Sequence, residues 1–368
     1  MIDNKLFTLL LLVKGRHEFT KRWLIYMKEI NFEHNIIIAD GQDDDETENL
    51  IKEINLNNSL SIRYFRYNTH LSYQDYYKMK KDALNKVETD FVMLCDNDDF
   101  VIPSGLKQQI DFLRSNQEYI SSSGKILNFE IDDFEFIEYG KKVSFLNPCK
   151  YYRVEEPIEN WHKHIKSVFT EFQPNFYNVF RTKYLKLIAN ELVEQNFSDL
   201  VINEFYVQLR ASTLGQSKVL TSSFHYIRQR GTSSLSKKYE FSKDILKKNM
   251  PEDIRKLANK ISDIISKNST TLKKDYETCI LEGFSKYLNY YLAHTTLKFR
   301  FPKLYILKIK LLKLFREKLN FLYILKKDII SRNTLNNILR SSNKKNFDDL
   351  KYDLIKIQRI LDKNYETK

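Results

Sequence analysis

Cysteine is scarce in this chain. Cys95, Cys149 and Cys279 are the only three in 368 residues, far apart and with no C-x-x-C pair. That excludes a disulfide framework and a cysteine-rich zinc site, and it suits a reducing compartment. Glycine and proline are also few, at eight and six, so long flexible linkers are not expected. No window approaches the ~20 uninterrupted apolar residues of a membrane-spanning helix. The apolar stretch Leu6–Val13 is short and no small-residue cleavage site follows it, so it reads as a buried strand and not a leader. The expected location is cytoplasmic.

What the chain does contain is apolar and aromatic surface. Hydrophobic residues make up 42% and aromatics 14%, which is above a disordered composition and enough for two domains. The formal charge of +12 is unevenly placed. Residues 246–368 hold 28 Lys and Arg against 13 Asp and Glu, net +15, whereas the other 245 residues hold 32 against 35, net −3. The basic excess therefore belongs to the last third, and the chain divides into residues 1–240 and a basic helical region, 241–368.

Along the first region, strand-like and helix-like patterns alternate. LFTLLLLV is a continuous apolar run, as in a strand covered on both faces. EFTKRWLIYMKEI follows at helical spacing, then the strand NIIIADG, a helix led by acidic residues, the strand SIRYFRY, the helix YQDYYKMKKDALNKV and the strand DFVMLC. This repetition predicts an α/β fold with a mostly parallel sheet. Residues 120–180 are richer in strand patterns, TKYLKLIANELVEQ and LVINEFYVQLRAST read as helices, and the pattern after residue 240 is nearly all helical.

Ligands of such sheets bind at the carboxyl ends of strands. Two acidic strand ends fall there: Asp40-Gly41 and Asp96-Asn97-Asp98-Asp99. Asp96 and Asp98 have the hard oxygen donors that Mg²⁺ or Mn²⁺ takes, bridged to a diphosphate. The alternative is a solvated acidic turn. Cys95, inside the apolar strand, reads as a core residue. His162 and His164 fit no metal motif and read as structural or acceptor-facing.

From about residue 5 to 235 the segments resemble, in order, the GT-A glycosyltransferases related to the large family-2 group, in a bacterial surface-polysaccharide branch. TLLLLVKGR stands at the family's first strand and loop, where a P-x-Y-N-R form is usual. IIIADG resembles the strand ending in the nucleotide-binding aspartate, and KKDALNKVETDFVMLCDNDD the approach to the DxD motif. NEFYVQLRASTLG resembles the helix carrying the catalytic base, and FHYIRQRGTSS the strand and loop that close the donor site.

The resemblance implies a GT-A fold and sugar transfer from a nucleotide-sugar donor to a hydroxyl of a surface glycan or lipid-linked acceptor. The outcome would be inverting and assisted by Mn²⁺ or Mg²⁺. Asp40 with Gly41 would hold the base or ribose. Arg16, Lys80 and Arg228 would contact the donor phosphates, with a solvated charge an equal alternative for Arg16 and Lys80. Asp96 and Asp98 would hold metal and phosphate, and His225 would complete the metal shell or contact phosphate, with a structural histidine the more frequent alternative. Glu204 is the expected general base, with Asp199 the second candidate or a helix-terminus carboxylate. Rival readings are a transferase of CMP-linked acidic sugars, a nucleotidyltransferase, or a non-catalytic glycan- or nucleotide-binding module.

In the basic region, residues 303–319 form an amphipathic helical pattern. Leu304, Leu307, Leu311, Leu312, Leu314, Phe315 and Leu319 lie in one half, and Lys303, Lys310, Lys313 and Arg316 in the other. Such a helix suits an anionic membrane surface, here the inner face, or packing on its own protein. Nucleic acid is not an expected partner, because no recognition motif accompanies the charge.

Overall fold

The structure is a computed structural model. It describes residues 6–67, 72–132, 142–146, 158–170, 175–229, 249–300 and 344–366, with the single positions Leu304, Leu307 and Lys310. The expected strand FEFIEYG and most of 303–319 lie outside the described residues.

Packing divides the chain into two compact units: Met1–Pro157 with Pro174–Ser233 and Asn337–Lys368, and Ile158–Gln173 with Ser234–Asn336. The cut at residue 240, drawn from composition, and these units, drawn from packing, divide the chain differently.

The first unit contains a sheet of nine strands among the described residues. Its first four are β1 (Phe7–Val13), β2 (Asn35–Asp40), β3 (Ile62–Arg66) and β4 (Phe91–Cys95). They lie side by side in the order β3-β2-β1-β4, all parallel. Every residue of β1 and β4 is buried. Continuous apolar runs fit there because helices cover both faces of a parallel sheet. The helices between them are α1 (His17–Glu29), α2 (Glu46–Ile54) and α3 (Tyr73–Asn85). Ser72 starts α3 by accepting from Asp75 N at 3.1 Å and donating to its carboxylate at 2.6 Å, which satisfies a free N–H of the first turn.

Beyond β4 the sheet becomes mixed. β5 (Phe100–Val101) leads into α4 (Pro103–Ser115), and β6 (Tyr119–Asp132), β7 (Lys142–Leu146), β8 (Val179–Arg181) and β9 (Gln216–Gln229) complete the order β4-β8-β6-β9-β5, with β7 on β6. β6 and β9 are parallel, and the remaining pairs there are antiparallel. The parallel expectation thus holds for the β3-β2-β1-β4 half. α4 packs so closely on β9 that a Cβ at Gly105 would sit 1.8 Å from Phe224 O, so no larger residue fits. After β8 come α6 (Thr182–Gln195) and α7 (Leu200–Leu214).

The helix Lys344–Glu366 completes this unit. Its buried Asp353 accepts from Ser104 N at 3.2 Å and Ser104 Oγ at 2.8 Å, capping α4 from a distant part of the chain. Lys356 donates to Glu29 O, 3.3 Å away, at the end of α1. Asp353→Ala removes both hydrogen bonds to Ser104, and the expected cost is about 1–2 kcal/mol. Urea denaturation with an unchanged midpoint would count against that.

In the second unit, the helix Lys273–Arg300 packs on both α5 (Trp161–Thr170) and the helix Met250–Ser266. Ile165, Val168 and Phe169 are buried. The His162 ring lies 4.9 Å from that of Tyr276, and His164 stands edge-on to Trp161. Both histidines therefore pack inside this unit. Among the described residues no helix is long and apolar enough to cross a membrane.

Candidate active site

The parallel register brings the two acidic strand ends to one rim. Val13 pairs with Asp40 on one side of β1, and Leu11 with Cys95 on the other, so Asp40 and the Asp96–Asp99 turn flank the same strand end.

The turn is held from several directions. Asn97 Nδ2 donates to Thr20 Oγ1 at 2.9 Å, and Arg22 Nη2 donates to Asp98 O at 2.8 Å. Asp99 Oδ1 accepts from Gln229 N at 2.8 Å, joining the turn to β9. Asp98 Oδ2 lies 3.0 Å from Arg16 Nη2. Asp96 Oδ2 accepts from Tyr177 OH at 3.4 Å, and Tyr226 OH accepts from Asp96 N at 3.3 Å. The Tyr177 and Tyr226 rings lie 4.4 Å apart.

Ligand oxygens of Asp96, Asp98 and Asp99 lie within 4.8 Å of one another. Crowding shows in their acidities. Burial, then the Asp98 charge, pushes Asp96 up to about 7, against the pull of Arg228, Arg16 and Tyr177. Burial, then Asp98 and Asp96, pushes Asp99 up as well. Three carboxylate oxygens this close together, drawn from one turn, fit a hard divalent cation.

Glu204 lies half-buried on α7. Burial raises its carboxyl to about 7, Lys80 and Arg228 pull it down, and Asp199 pushes it up. Lys80, buried on α3, is lowered to about 8 by burial, against the pull of Glu204 and Asp96. Its ammonium lies 5.8 Å from the Tyr77 ring and 5.7 Å from the Phe176 ring. Arg228 projects from β9 over the Tyr177 ring at 5.8 Å. Asp96, Glu204, Lys80 and Arg228, from four elements, thus share one electrostatic neighbourhood. Within it Glu204, raised to about 7, has the acidity suited to taking a proton at physiological pH.

Other expected residues take different places. Asp199 caps α7, accepting from Val201 N at 2.9 Å and Ile202 N at 3.1 Å. Asp40 is fully buried, with Oδ1 accepting from Gln42 N at 2.9 Å and Oδ2 from Tyr64 OH at 3.2 Å. Gly41 N donates to Val13 O and continues the sheet. His225 is not brought to the acidic turn. Its Nδ1 accepts from Gly124 N at 3.0 Å, so Nε2 carries the proton and donates to Tyr177 O at 2.8 Å. Burial keeps the ring neutral, its pKa lowered to about 4. With both nitrogens engaged by the backbone, the ring has no lone pair for a metal.

Three residues of this neighbourhood escaped the sequence reading. Tyr76 and Tyr77 are raised by burial, with Glu204 acting on both and Asp96 on Tyr76. They stand four and three residues before Lys80, a helical spacing that the sequence displays. Tyr177 carries no comparable signal, since it precedes a three-residue strand.

No protein-family model matches the chain, and no curated protein matches it by sequence. Solved structures do match in shape. S. aureus TarS 1-349 aligns with a TM-score of 0.51 at 12% identity, over 98% of this chain and 90% of that one. TarS 1-349 in complex with UDP aligns with a TM-score of 0.51 at 14% identity, over the same shares. At such identities the likeness shows the fold, and the fold is that of the GT-A glycosyltransferases.

Proposed function

We propose that the chain is a glycosyltransferase that moves a sugar from a nucleoside-diphosphate donor to a hydroxyl of a bacterial surface glycan, with inversion at the anomeric carbon. The observation that carries this reading is that the acidic turn, through Asp96, and a half-buried Glu204 raised to about 7 both act on Lys80 and Tyr76. UDP in the similarly folded TarS supports a uridine nucleotide as the first donor to try.

Each group has a role in such a transfer. Asp40 sets the Gln42 turn and the Tyr64 hydroxyl, which would meet the base and ribose. Arg228 and Lys80 offset the charge of the diphosphate, a fork and a point charge respectively. Glu204 takes the acceptor hydroxyl proton as that oxygen attacks the anomeric carbon. Asp96 and Asp98, with Asp99 beside them, would hold a divalent cation, which supplies Lewis-acid stabilisation of the leaving diphosphate. The direct test is release of nucleoside diphosphate from a panel of nucleotide sugars, with and without Mn²⁺. Turnover of a CMP-linked sugar without metal, or no turnover of any donor, overturns the reading.

The acceptor side supports a membrane-surface location. Leu304 and Leu307 are helical and exposed, at 60% and 52%, and Lys310 is exposed one turn further on. Apolar side chains in water beside a region of net +15 suit an anionic lipid surface, where each nearby basic residue contributes about 1 kcal/mol. The protein is expected to sediment with anionic vesicles at low salt and to leave them at high salt. Replacing Lys303, Lys310, Lys313 and Arg316 by Gln should release it. Wild-type protein that ignores the vesicles at low salt would make the segment a packing helix.

A further inference from the structure

At the acidic turn a side chain already stands in for a cation. Arg16 Nη2 lies 3.0 Å from Asp98 Oδ2, yet this buried nitrogen has no hydrogen-bond partner of good geometry. The contact is charge on charge, and not the two-pronged fork that a guanidinium makes with a well-placed carboxylate. The guanidinium also lies over the Phe19 ring, 4.3 Å from its centre.

The backbone beneath is fixed. Arg16 is left-handed, at φ 62° and ψ 45°, and so is Gly15 before it, at φ 63°. Few residues with a side chain adopt that conformation. Phe19 N and Thr20 N donate to Arg16 O at 3.0 and 3.3 Å, and Asn97 Nδ2 approaches the same oxygen at 3.4 Å. Any change of partner must therefore come from the side chain alone.

We infer that Arg16 is a resident counter-charge at Asp98: it competes with a divalent cation for that carboxylate and yields when a nucleoside diphosphate offers its guanidinium a better partner. The inference rests on the donor class proposed above. A diphosphate presents more negative charge than one carboxylate and matches the guanidinium fork. Once Arg16 turns to it, Asp98 Oδ2 is released to act with Asp96 and Asp99. The site then selects the metal–nucleotide pair over free metal. By linkage the preference is mutual, each ligand raising the affinity of the other by the same factor.

The test is a Mn²⁺ titration of the full chain, read from the paramagnetic resonance of the free ion, with and without UDP. It compares wild type, Arg16→Asn and Arg16→Lys. Asn is chosen because it tolerates the left-handed backbone. Without UDP, Arg16→Asn should bind Mn²⁺ about tenfold tighter than wild type, and UDP should add correspondingly less. Arg16→Lys, which keeps the charge, should stay near wild type. If Arg16→Asn binds Mn²⁺ no tighter while UDP still promotes Mn²⁺ binding by wild type, the competition is overturned and the donor reading stands. If no protein binds Mn²⁺ with or without UDP, the inference falls, and a UDP-induced rise in melting temperature judges the donor class separately. Should Arg16→Asn not fold, Phe19→Leu removes the ring under the guanidinium. Tighter Mn²⁺ binding by that variant supports the competition, and unchanged binding overturns it.

Discussion

Glu204→Gln is expected to fold, to bind nucleoside diphosphate as wild type does, and to turn over roughly 10²–10⁴ times more slowly. The substitution keeps the side-chain shape and removes only the proton acceptor. The pH profile should carry the same signature. Burial raises the Glu204 carboxyl to about 7, and the base works only when ionised. kcat/KM in wild type should therefore climb about tenfold per pH unit below 7 and level off above it, whereas in Glu204→Gln that limb should vanish. Asp199→Asn is the companion variant. Asn retains an oxygen that can accept from Val201 N and Ile202 N, so the cap survives and activity should change little. If Asp199→Asn shows the catalytic loss and Glu204→Gln does not, the base is Asp199.

Asp98→Asn should reduce transfer to background, roughly 10³-fold or more, the scale of several kcal/mol of lost charge stabilisation. The fold should remain, because the main-chain bond from Arg22 to Asp98 O at 2.8 Å does not involve the side chain, and Asp99 keeps the join to β9. An excess of chelator should do to wild type what the substitution does. Circular dichroism checks the fold, and release of nucleoside diphosphate checks the activity. Full activity of wild type in chelator would remove the metal from the account and leave Arg16, Arg228 and Lys80 to offset the charge of the leaving group.

The half of the fold that was easiest to read is the half built from buried parallel strands. Runs such as LLLLV and IIIA have one comfortable environment, and the polar residues that end them mark the rim. Glu204 was singled out by its place in an ordered set of segments, and the fold sets it near Lys80 and Arg228. Asp199 was legible only as an alternative between base and helix cap, and the geometry makes it a cap. His225 was legible only as an alternative between ligand and structural histidine, because a histidine in a strand near an arginine looks the same whether it faces a ligand or two backbone groups. Gly124 and Tyr177, which claim its nitrogens, are 101 and 48 residues away in sequence. Tyr177 and Asp353 were invisible for the same reason: each acts through a partner that only the folded chain brings near.

The docking of Lys344–Glu366 has a consequence for biosynthesis. Lys356 meets Glu29 across 327 residues, and Asp353 meets Ser104 across 249. On the ribosome, the strands and helices that carry the acidic turn emerge long before the helix that pins them. The nascent chain must therefore wait with α1 and the start of α4 uncovered while more than two hundred residues are added. Contacts so distant close slowly, and uncovered surfaces invite wrong pairings. Translation speed through the basic region, and whatever shields that surface meanwhile, then governs how many chains mature.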